Sequence, residues 1–269
     1  MVDSDRLGEL VAAVLASPKY RHIDPGFVER VAVQELAKGR KHKETLKATK
    51  NKLHQVGGAY LESKLEYDAW LSDLQAVAAS SDQQALKAAC EEVMGQHAST
   101  RERLPILEEF YTTIFAELPQ IQSVLDLACG LNPLALPWMP LAPDAAYYAC
   151  DIYTDMIAFL NSYLELMPVK GEAWACDVVT EPPNQKVDLA LLLKIIPCLE
   201  QVDKDAGVRL LDAIDAGFLL VSFPVHSLGG KEKGMLEHYE DGFNEMVAGR
   251  NWDVKRFVFD MELAFLVGK

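Results

Sequence analysis

The chain has 269 residues, half of them apolar, which is enough for a large globular core. No apolar run approaches the ~20 residues of a membrane span, and the acidic N-terminus differs from the basic start of a signal peptide. A soluble, cytoplasmic protein with no membrane partner is therefore expected. The five cysteines form no CxxC pair, so we expect reduced core residues and no metal site.

The net charge of -14 is distributed unevenly. Residues 1–104 carry 15 basic and 15 acidic side chains, whereas residues 105–269 carry 11 and 25. A phosphate-binding surface is therefore expected only in the first third. Screening over a Debye length of ~8 Å would isolate a basic patch there from distant carboxylates. Seven basic side chains cluster around the single acidic Glu44: Lys38, Arg40, Lys41, Lys43, Lys47, Lys50 and Lys52.

The first hundred residues have the apolar spacing of amphipathic helices. One helix is predicted to stop at Ser17-Pro18, and the next to start after Asp24-Pro25, with proline at its first position. A basic helix is predicted to end near Gln55, before Gly57-Gly58. The first two of these helices are predicted at 7–15 and 27–36. Two more, after the basic helix, are predicted at 60–77 and 83–94.

After residue 120 the apolar runs become strand-sized and alternate with helical segments, which predicts a parallel sheet. Strands are predicted at 123–129, 146–152, 172–178, 187–196 and 218–223, and helices at 156–167 and 204–215. The runs 254–261 and 263–267 predict a closing antiparallel hairpin. The predicted fold is α/β: a Rossmann-like sheet with a C-terminal β-hairpin, preceded by an all-helical part. It resembles the class I S-adenosylmethionine-dependent methyltransferases.

The first predicted strand runs into a tight glycine turn that ends at Gly130. This turn has fewer glycines than a dinucleotide fingerprint, which disfavours a pyrophosphate ligand and hence a nicotinamide dehydrogenase. Asp151 closes the second predicted strand, 21 residues after Gly130. This position suits acceptance of hydrogen bonds from both ribose hydroxyls better than capping of the helix near Met156.

Two motifs carry a more specific resemblance. His97-Ala98-Ser99 is followed by Arg103, and Val124 to Pro133 includes the glycine turn. Together they resemble the aminoglycoside-resistance 16S rRNA (guanine-N7) methyltransferases, which modify a guanine in the decoding region of the small ribosomal subunit. The resemblance implies S-adenosylmethionine as cofactor, and the 30S subunit with its 16S rRNA, not DNA, as partner. It divides the chain into a helical rRNA-docking domain, 1–104, and a cofactor-binding methyltransferase domain, 105–269.

The same resemblance implies roles for individual residues. Arg103 would hold the carboxylate of the cofactor, which its fork-shaped guanidinium suits, although a solvated charge cluster is the alternative. Asp177, predicted to close the third strand, would accept from the adenine amino group or cap a turn, and the sequence does not choose between these. The implied cofactor set is Tyr60, His97, Ala98, Ser99, Arg103, Ala128, Gly130, Asp151, Asp177, Val178 and Leu193.

Lys194 interrupts a strongly apolar run, so it is expected to emerge at the carboxyl end of its strand, where α/β sheets bind ligands. A lysine that merely extends to solvent from a strand end is the alternative. The resemblance implies that Lys194 and Glu200 face the target guanine. Lys231, in the glycine-rich loop 222–235, would help to position it, and Lys233 would contact RNA. The chain departs from the family pattern at Val202 and at Val225-His226.

Guanine N7 carries an unprotonated lone pair, so no general base is assigned. Because N7 faces the deep groove of A-form RNA, the guanine is expected to flip out and stack on an aromatic side chain. The sequence does not choose among Tyr60, Phe110 and Trp138. Two other functions stay open: a small-molecule S-adenosylmethionine-dependent methyltransferase, and a noncatalytic RNA-binding protein.

Overall fold

The computed structural model describes residues 4–58, 65–201, 203–225 and 234–269. The predictions that concern Tyr60, Val202, His226, Lys231 and Lys233 lie outside these residues. Within the described ranges, helices occupy the chain up to the first strand, and a seven-stranded sheet with further helices follows. No helix among the described residues is both long and apolar enough to cross a membrane.

Seven α-helices precede the sheet in the described ranges. The cap of the second helix follows the prediction, since Asp24 accepts a hydrogen bond from the backbone N–H of Phe27 at 2.9 Å and Pro25 begins the helix. The third helix runs into a π-helical turn, His54–Gly58, at the predicted glycine pair. The helices are α1 (Ser4–Leu15), α2 (Pro25–Leu36), α3 (His42–Leu53), α4 (Tyr67–Ala79), α5 (Gln83–Met94), α6 (Ala98–Arg103) and α7 (Leu107–Phe115).

The sheet has the order β3-β2-β1-β4-β5-β7-β6, and its first five members are parallel. β7 is antiparallel to both β5 and β6, so the predicted hairpin closes the sheet. This confirms the predicted class I methyltransferase architecture. The strands are β1 (Ser123–Leu127), β2 (Ala146–Asp151), β3 (Lys170–Ala175), β4 (Val187–Leu193), β5 (Ala216–Pro224), β6 (Asp253–Phe259) and β7 (Glu262–Gly268). The remaining helices are α8 (Thr154–Leu164), α9 (Ile196–Glu200), α10 (Ala206–Ala213) and α11 (Met235–Val247).

The third strand differs from its prediction. β3 ends at Ala175, so Asp177 does not close the strand but lies two residues beyond it. The backbone carbonyl of Asp177 accepts hydrogen bonds from Thr180 and Glu181 at 3.1 and 2.9 Å, so the chain turns at this point. Asp177 therefore belongs to a loop at the carboxyl end of the sheet.

The helical part and the sheet share one hydrophobic core. Phe27 and Leu53 belong to the same buried cluster as Val124 and Tyr147. The backbone N–H of Asp24 also donates to Ile152 at 2.7 Å, directly after β2. These contacts hold α2 beside the carboxyl end of β2, while the division of the chain at 104/105 remains a prediction.

Candidate functional site

A cleft opens at the carboxyl ends of β1, β2 and β4, the edge where ligands of such sheets bind. It encloses about 870 Å³ of empty space, its mouth included. Strand ends supply one wall, and the helical part supplies Phe27, Val56 and Gly57. The predicted cofactor residues that line it are His97, Ser99, Arg103, Ala128, Asp151, Asp177, Val178 and Leu193, and Lys194 lines it too.

The turn after β1 is as tight as predicted. Ala128 and Gly130 both have left-handed backbones, with φ of 47° and 52°. A Cβ atom at Gly130 would lie 2.8 Å from Cε1 of His97, so only glycine leaves room for this ring. Ala98 is buried outside the lining of the cleft. The His97 ring therefore packs directly against the turn at Gly130.

His97 is held in its neutral form. Burial lowers the pKa of this imidazole to about 4, and the positive charges of Arg103, Arg101 and Lys194 act in the same direction. A neutral ring suits packing against an apolar or cationic part of a ligand. It also means that His97 carries no positive charge near pH 7.

Asp151 ends β2 with its carboxylate at the cleft. Its oxygens accept backbone hydrogen bonds from Gly130 at 2.9 Å and from Ile152 at 2.7 Å. The next helix begins only at Thr154, and no side chain caps its N-terminus. Asp151 therefore does not cap this helix, and the capping alternative is wrong. Burial raises the pKa of Asp151, although its backbone donors oppose the shift. Since a carboxylate has about four acceptor positions, capacity remains for ribose hydroxyls.

Arg103 has partners within the protein that the sequence did not predict. The side chain is fully buried, and its Nε and Nη2 donate to the two carboxylate oxygens of Glu262 at 2.9 and 2.8 Å. Nη1 donates to Oδ1 of Asn132 at 2.9 Å. Three of the five guanidinium N–H groups are therefore used inside the protein, and at most two remain for a cofactor carboxylate. The solvated-cluster alternative is wrong, because the side chain is buried, whereas the contact with a cofactor carboxylate stays a prediction.

Lys194 is part of the same charge network. It follows β4 directly, as predicted, with a left-handed φ of 60°. Its ammonium lies 2.9 Å from Glu102 and 3.4 Å from Glu262. The side chain is only 5% exposed, so it does not extend to solvent. Two cations, Arg103 and Lys194, thus face two carboxylates beside the cleft.

Glu262 is the functional candidate that the sequence reasoning missed. Burial alone would raise its pKa, but the charges of Arg103 and Lys194 outweigh burial and lower it, so the carboxylate stays ionised. The signal in the sequence was a glutamate at the head of an otherwise apolar strand. Its partners lie far away in the chain, so no local pattern identifies them.

Asp177 has a partner from the helical part. Nε and Nη2 of Arg30, on α2, donate to its carboxylate oxygens at 2.5 and 3.0 Å. Asp177 also accepts from the backbone N–H of Val179 at 3.2 Å. Both predicted alternatives are therefore compatible with its position, since it caps this turn and also lines the cleft.

Glu200 does not share the cleft with Lys194. It ends α9 and lines a separate groove with His238 and Tyr239. Burial raises its pKa, with His238 acting in the opposite direction. Glu200 therefore lies outside the lining of the cleft that contains Lys194, and their contact with one guanine stays a prediction. Phe110 and Trp138 are buried core residues outside the cleft lining, so neither is placed to stack on a flipped base.

Four side chains of the basic stretch have partners within the protein. Lys38 and Arg40 both pair with the buried Glu35. Lys50 donates to Ser17, and Lys52 donates to the carbonyl of Gln201 at 2.8 Å. These pairs compete with a phosphate for the four side chains, and phosphate binding by the basic stretch stays a prediction. The exposed basic residues of the third helix and its N-cap include Lys41, Lys43 and Lys47.

The chain matches known proteins along nearly its whole length. A family model described as ribosomal RNA methyltransferase (FmrO) matches residues 16–266. Two curated relatives bear the name 16S rRNA (guanine(1405)-N(7))-methyltransferase. The relative from Micromonospora echinospora is 36% identical over 98% of this chain and 97% of its own. The relative from Frankia casuarinae is 39% identical over 98% of this chain and 93% of its own.

The fold comparison agrees with these matches. The crystal structure of the 16S rRNA methyltransferase RmtF in complex with S-adenosyl-L-homocysteine covers all of both chains, at a TM-score of 0.83 and 33% identity. The 16S rRNA methylase RmtB covers 98% of both chains, at a TM-score of 0.78 and 29% identity. Sequence, fold and cleft therefore agree: this chain belongs to the FmrO family of ribosomal RNA methyltransferases.

Proposed function

We propose that this enzyme transfers the methyl group of S-adenosylmethionine to N7 of a guanine in the decoding region of 16S rRNA, within the 30S subunit in the cytoplasm. The observation that carries the proposal is the cleft at the carboxyl ends of the strands, lined by the Asp151 carboxylate, in a chain whose full-length relatives bear that activity in their names. Resistance to aminoglycosides would follow from the modified base.

The residues of the cleft fit S-adenosylmethionine. Apolar side chains, among them Phe27, Ile152 and Val178, form a slot for a planar base. Asp151 retains acceptor capacity beside them for a ribose. Arg103 also lines the cleft, and the two guanidinium N–H groups that it does not use inside the protein would donate to the carboxylate of the cofactor. No phosphate site is needed, which agrees with the sparse glycines of the turn.

When bound, S-adenosylmethionine supplies a methyl group on a sulfonium, which is a good leaving group. The protein then needs no general base, because N7 has a free lone pair at neutral pH. Its task is to hold the guanine in line with the methyl carbon and to exclude water, an effect worth ~7 to 11 kcal/mol in favourable cases. Lys194, buried at the end of β4, is the side chain that we assign to positioning of the guanine.

Methylation of purified 30S subunits tests the proposal. Transfer of a labelled methyl group to 30S, mapped by primer extension to one N7-methylguanine in the decoding region, is the expected result. Asp151→Ala should abolish or strongly reduce the label. Transfer only to small molecules would replace the proposal with the small-molecule alternative. Binding of 30S without cofactor affinity in calorimetry would indicate a noncatalytic RNA-binding protein.

A further inference from the structure

The pair between Arg30 and Asp177 joins the helical part to the predicted adenine end of the cleft. Arg30 lies on α2, 147 residues before Asp177 in the chain, and grips both carboxylate oxygens. Both side chains are largely buried, at 13% and 7% exposure. A bidentate, buried contact of this kind fixes the orientation of a carboxylate.

Arg30 approaches Asp177 from outside the cleft. Asp177 lines both the cleft and a second groove against α2, whereas Arg30 lines only that second groove. The guanidinium also lies 5.0 Å from the ring centroid of Phe27, which is itself a wall of the cleft. Arg30 therefore touches two residues of the cleft without lining the cleft itself.

The Asp177 carboxylate has one hydrogen-bond acceptor position left for a ligand. Oδ1 accepts from Nη2 of Arg30 and from the backbone N–H of Val179. Oδ2 accepts from Nε of Arg30. Because each carboxylate oxygen has about two acceptor positions, Oδ2 keeps capacity for one further donor. The exocyclic amino group of adenine is a donor, whereas hypoxanthine presents an acceptor at the same place.

The pair does not use the third nitrogen of the guanidinium. Nη1 of Arg30 is buried and has no hydrogen-bond partner among the residues that the structure describes. A buried donor of this kind is unfavourable unless a water molecule or a ligand accepts from it.

We propose that Arg30 is a positioning residue that orients Asp177 for the amino group of adenine, so that the helical part sets the selectivity of the enzyme for an adenine-containing cofactor. This inference rests on the proposed function. A merely structural pair would change the affinity for every ligand equally. A positioning residue changes the ratio between adenine and hypoxanthine ligands.

Calorimetry with S-adenosylhomocysteine and S-inosylhomocysteine separates these cases. We expect the wild type to prefer the adenine ligand by about ten- to a hundredfold, the range for a hydrogen bond to a charged group. Arg30→Met should reduce that ratio severalfold or more, and Arg30→Lys should restore part of it. Thr154→Val is the matched control. It removes a 3.0 Å hydrogen bond to His22 between the same two parts of the chain and should leave the ratio unchanged.

Each outcome has one meaning. If the wild type binds neither ligand, the proposed function itself fails. If the wild type binds both equally, Asp177 does not read the adenine and the inference is overturned. If Arg30→Met is folded, as judged by its thermal transition, and keeps or increases the wild-type ratio, Arg30 is only a structural residue and the inference is likewise overturned.

Discussion

Arg103 and Glu262, 159 residues apart in the chain, form a two-pronged ion pair that is fully buried beside the cleft. Burying two charges is costly unless the geometry is good and the remaining polar atoms are paired. Here Asn132 takes a third guanidinium N–H, and Lys194 lies 3.4 Å from the same carboxylate. The pair ties α6 to the start of β7, so one contact joins the predicted cofactor segment to the closing hairpin.

Replacing Glu262 with glutamine should strongly destabilise the protein. The substitution keeps the shape but leaves Arg103 and Lys194 without their shared counter-charge, and breaking one partner of a buried pair costs about 3 to 5 kcal/mol. Urea unfolding measures the loss. Glu117→Gln, which breaks an exposed pair with Lys255, is the control and should change the unfolding free energy far less. Equal losses in the two variants would contradict the assignment of Glu262.

Acidification should destabilise the protein through His97. The pKa of this imidazole is about 4 in the folded state and about 6.5 when unfolded, so the unfolded chain binds the proton first as the pH falls. The neutral ring therefore contributes stability that is complete above pH 6.5 and is lost toward pH 4. In His97→Asn, the unfolding free energy should depend less steeply on pH over this window. An unchanged slope would show that His97 titrates normally.

The helices and strands were largely predictable, since their apolar spacing is local information. α5 begins and ends at its predicted residues, and β6 and β7 form the expected hairpin. The end of β3 was misplaced because Cys176 and Val178 continue the apolar run past the strand. α7 and α11 were not predicted.

The site was predictable only in part. Asp151 and Lys194 stand at strand ends, so their placement follows from the order of the sheet. The partners of Arg103 and Asp177 come from elements 159 and 147 residues away, and only the fold brings them together. The pairs of Lys38 and Arg40 with Glu35 are local in the chain, but the burial of Glu35 depends on how α2 packs.

Gly130→Ala should both destabilise the protein and weaken cofactor binding. The residue has a φ of 52°, and a Cβ atom would meet the His97 ring at 2.8 Å. Gly249→Ala is the matched control, because Gly249 has a φ of 78° but no atom within 4 Å of the place that a Cβ would take. Backbone strain alone costs about 1 to 2 kcal/mol. Urea unfolding should show a clearly larger loss for Gly130→Ala, and an equal loss would mean that the His97 ring moves away freely.

Asp151→Ala should weaken the binding of S-adenosylhomocysteine by about 1.5 to 3 kcal/mol, because hydrogen bonds to a charged group are removed. The matched control is Asp188→Ala. Asp188 also accepts two backbone N–H groups, from Gln122 and Ser123 at 2.7 and 3.0 Å, but at the opposite end of β1. It should therefore lose stability without losing affinity. Calorimetry that finds the same affinity for both variants would remove Asp151 from the ribose site.

The exposed lysines on and before α3 should govern docking to the ribosome. Lys41, Lys43 and Lys47 are exposed, whereas Lys38 and Lys52, which flank them in the chain, have partners within the protein. If they meet rRNA phosphates, replacing all three with glutamine should weaken 30S binding. The log-log slope of affinity against salt should become shallower by roughly 0.7 to 0.9 for each phosphate that is no longer bound. Calorimetric binding of S-adenosylhomocysteine should not change.

A charge-matched variant and a site variant complete this test. The charge-matched triple variant should leave the salt slope unchanged. It removes three exposed lysines that lie away from α3, namely Lys170, Lys186 and Lys255. Lys194→Met should show the opposite pattern to the α3 variant, with docking nearly normal and turnover reduced, because Lys194 lies at the cleft and not on the docking surface. If the α3 triple kept the affinity and the salt slope of the wild type, the basic stretch would be a solvated helix face. The docking surface would then have to be sought elsewhere on the chain.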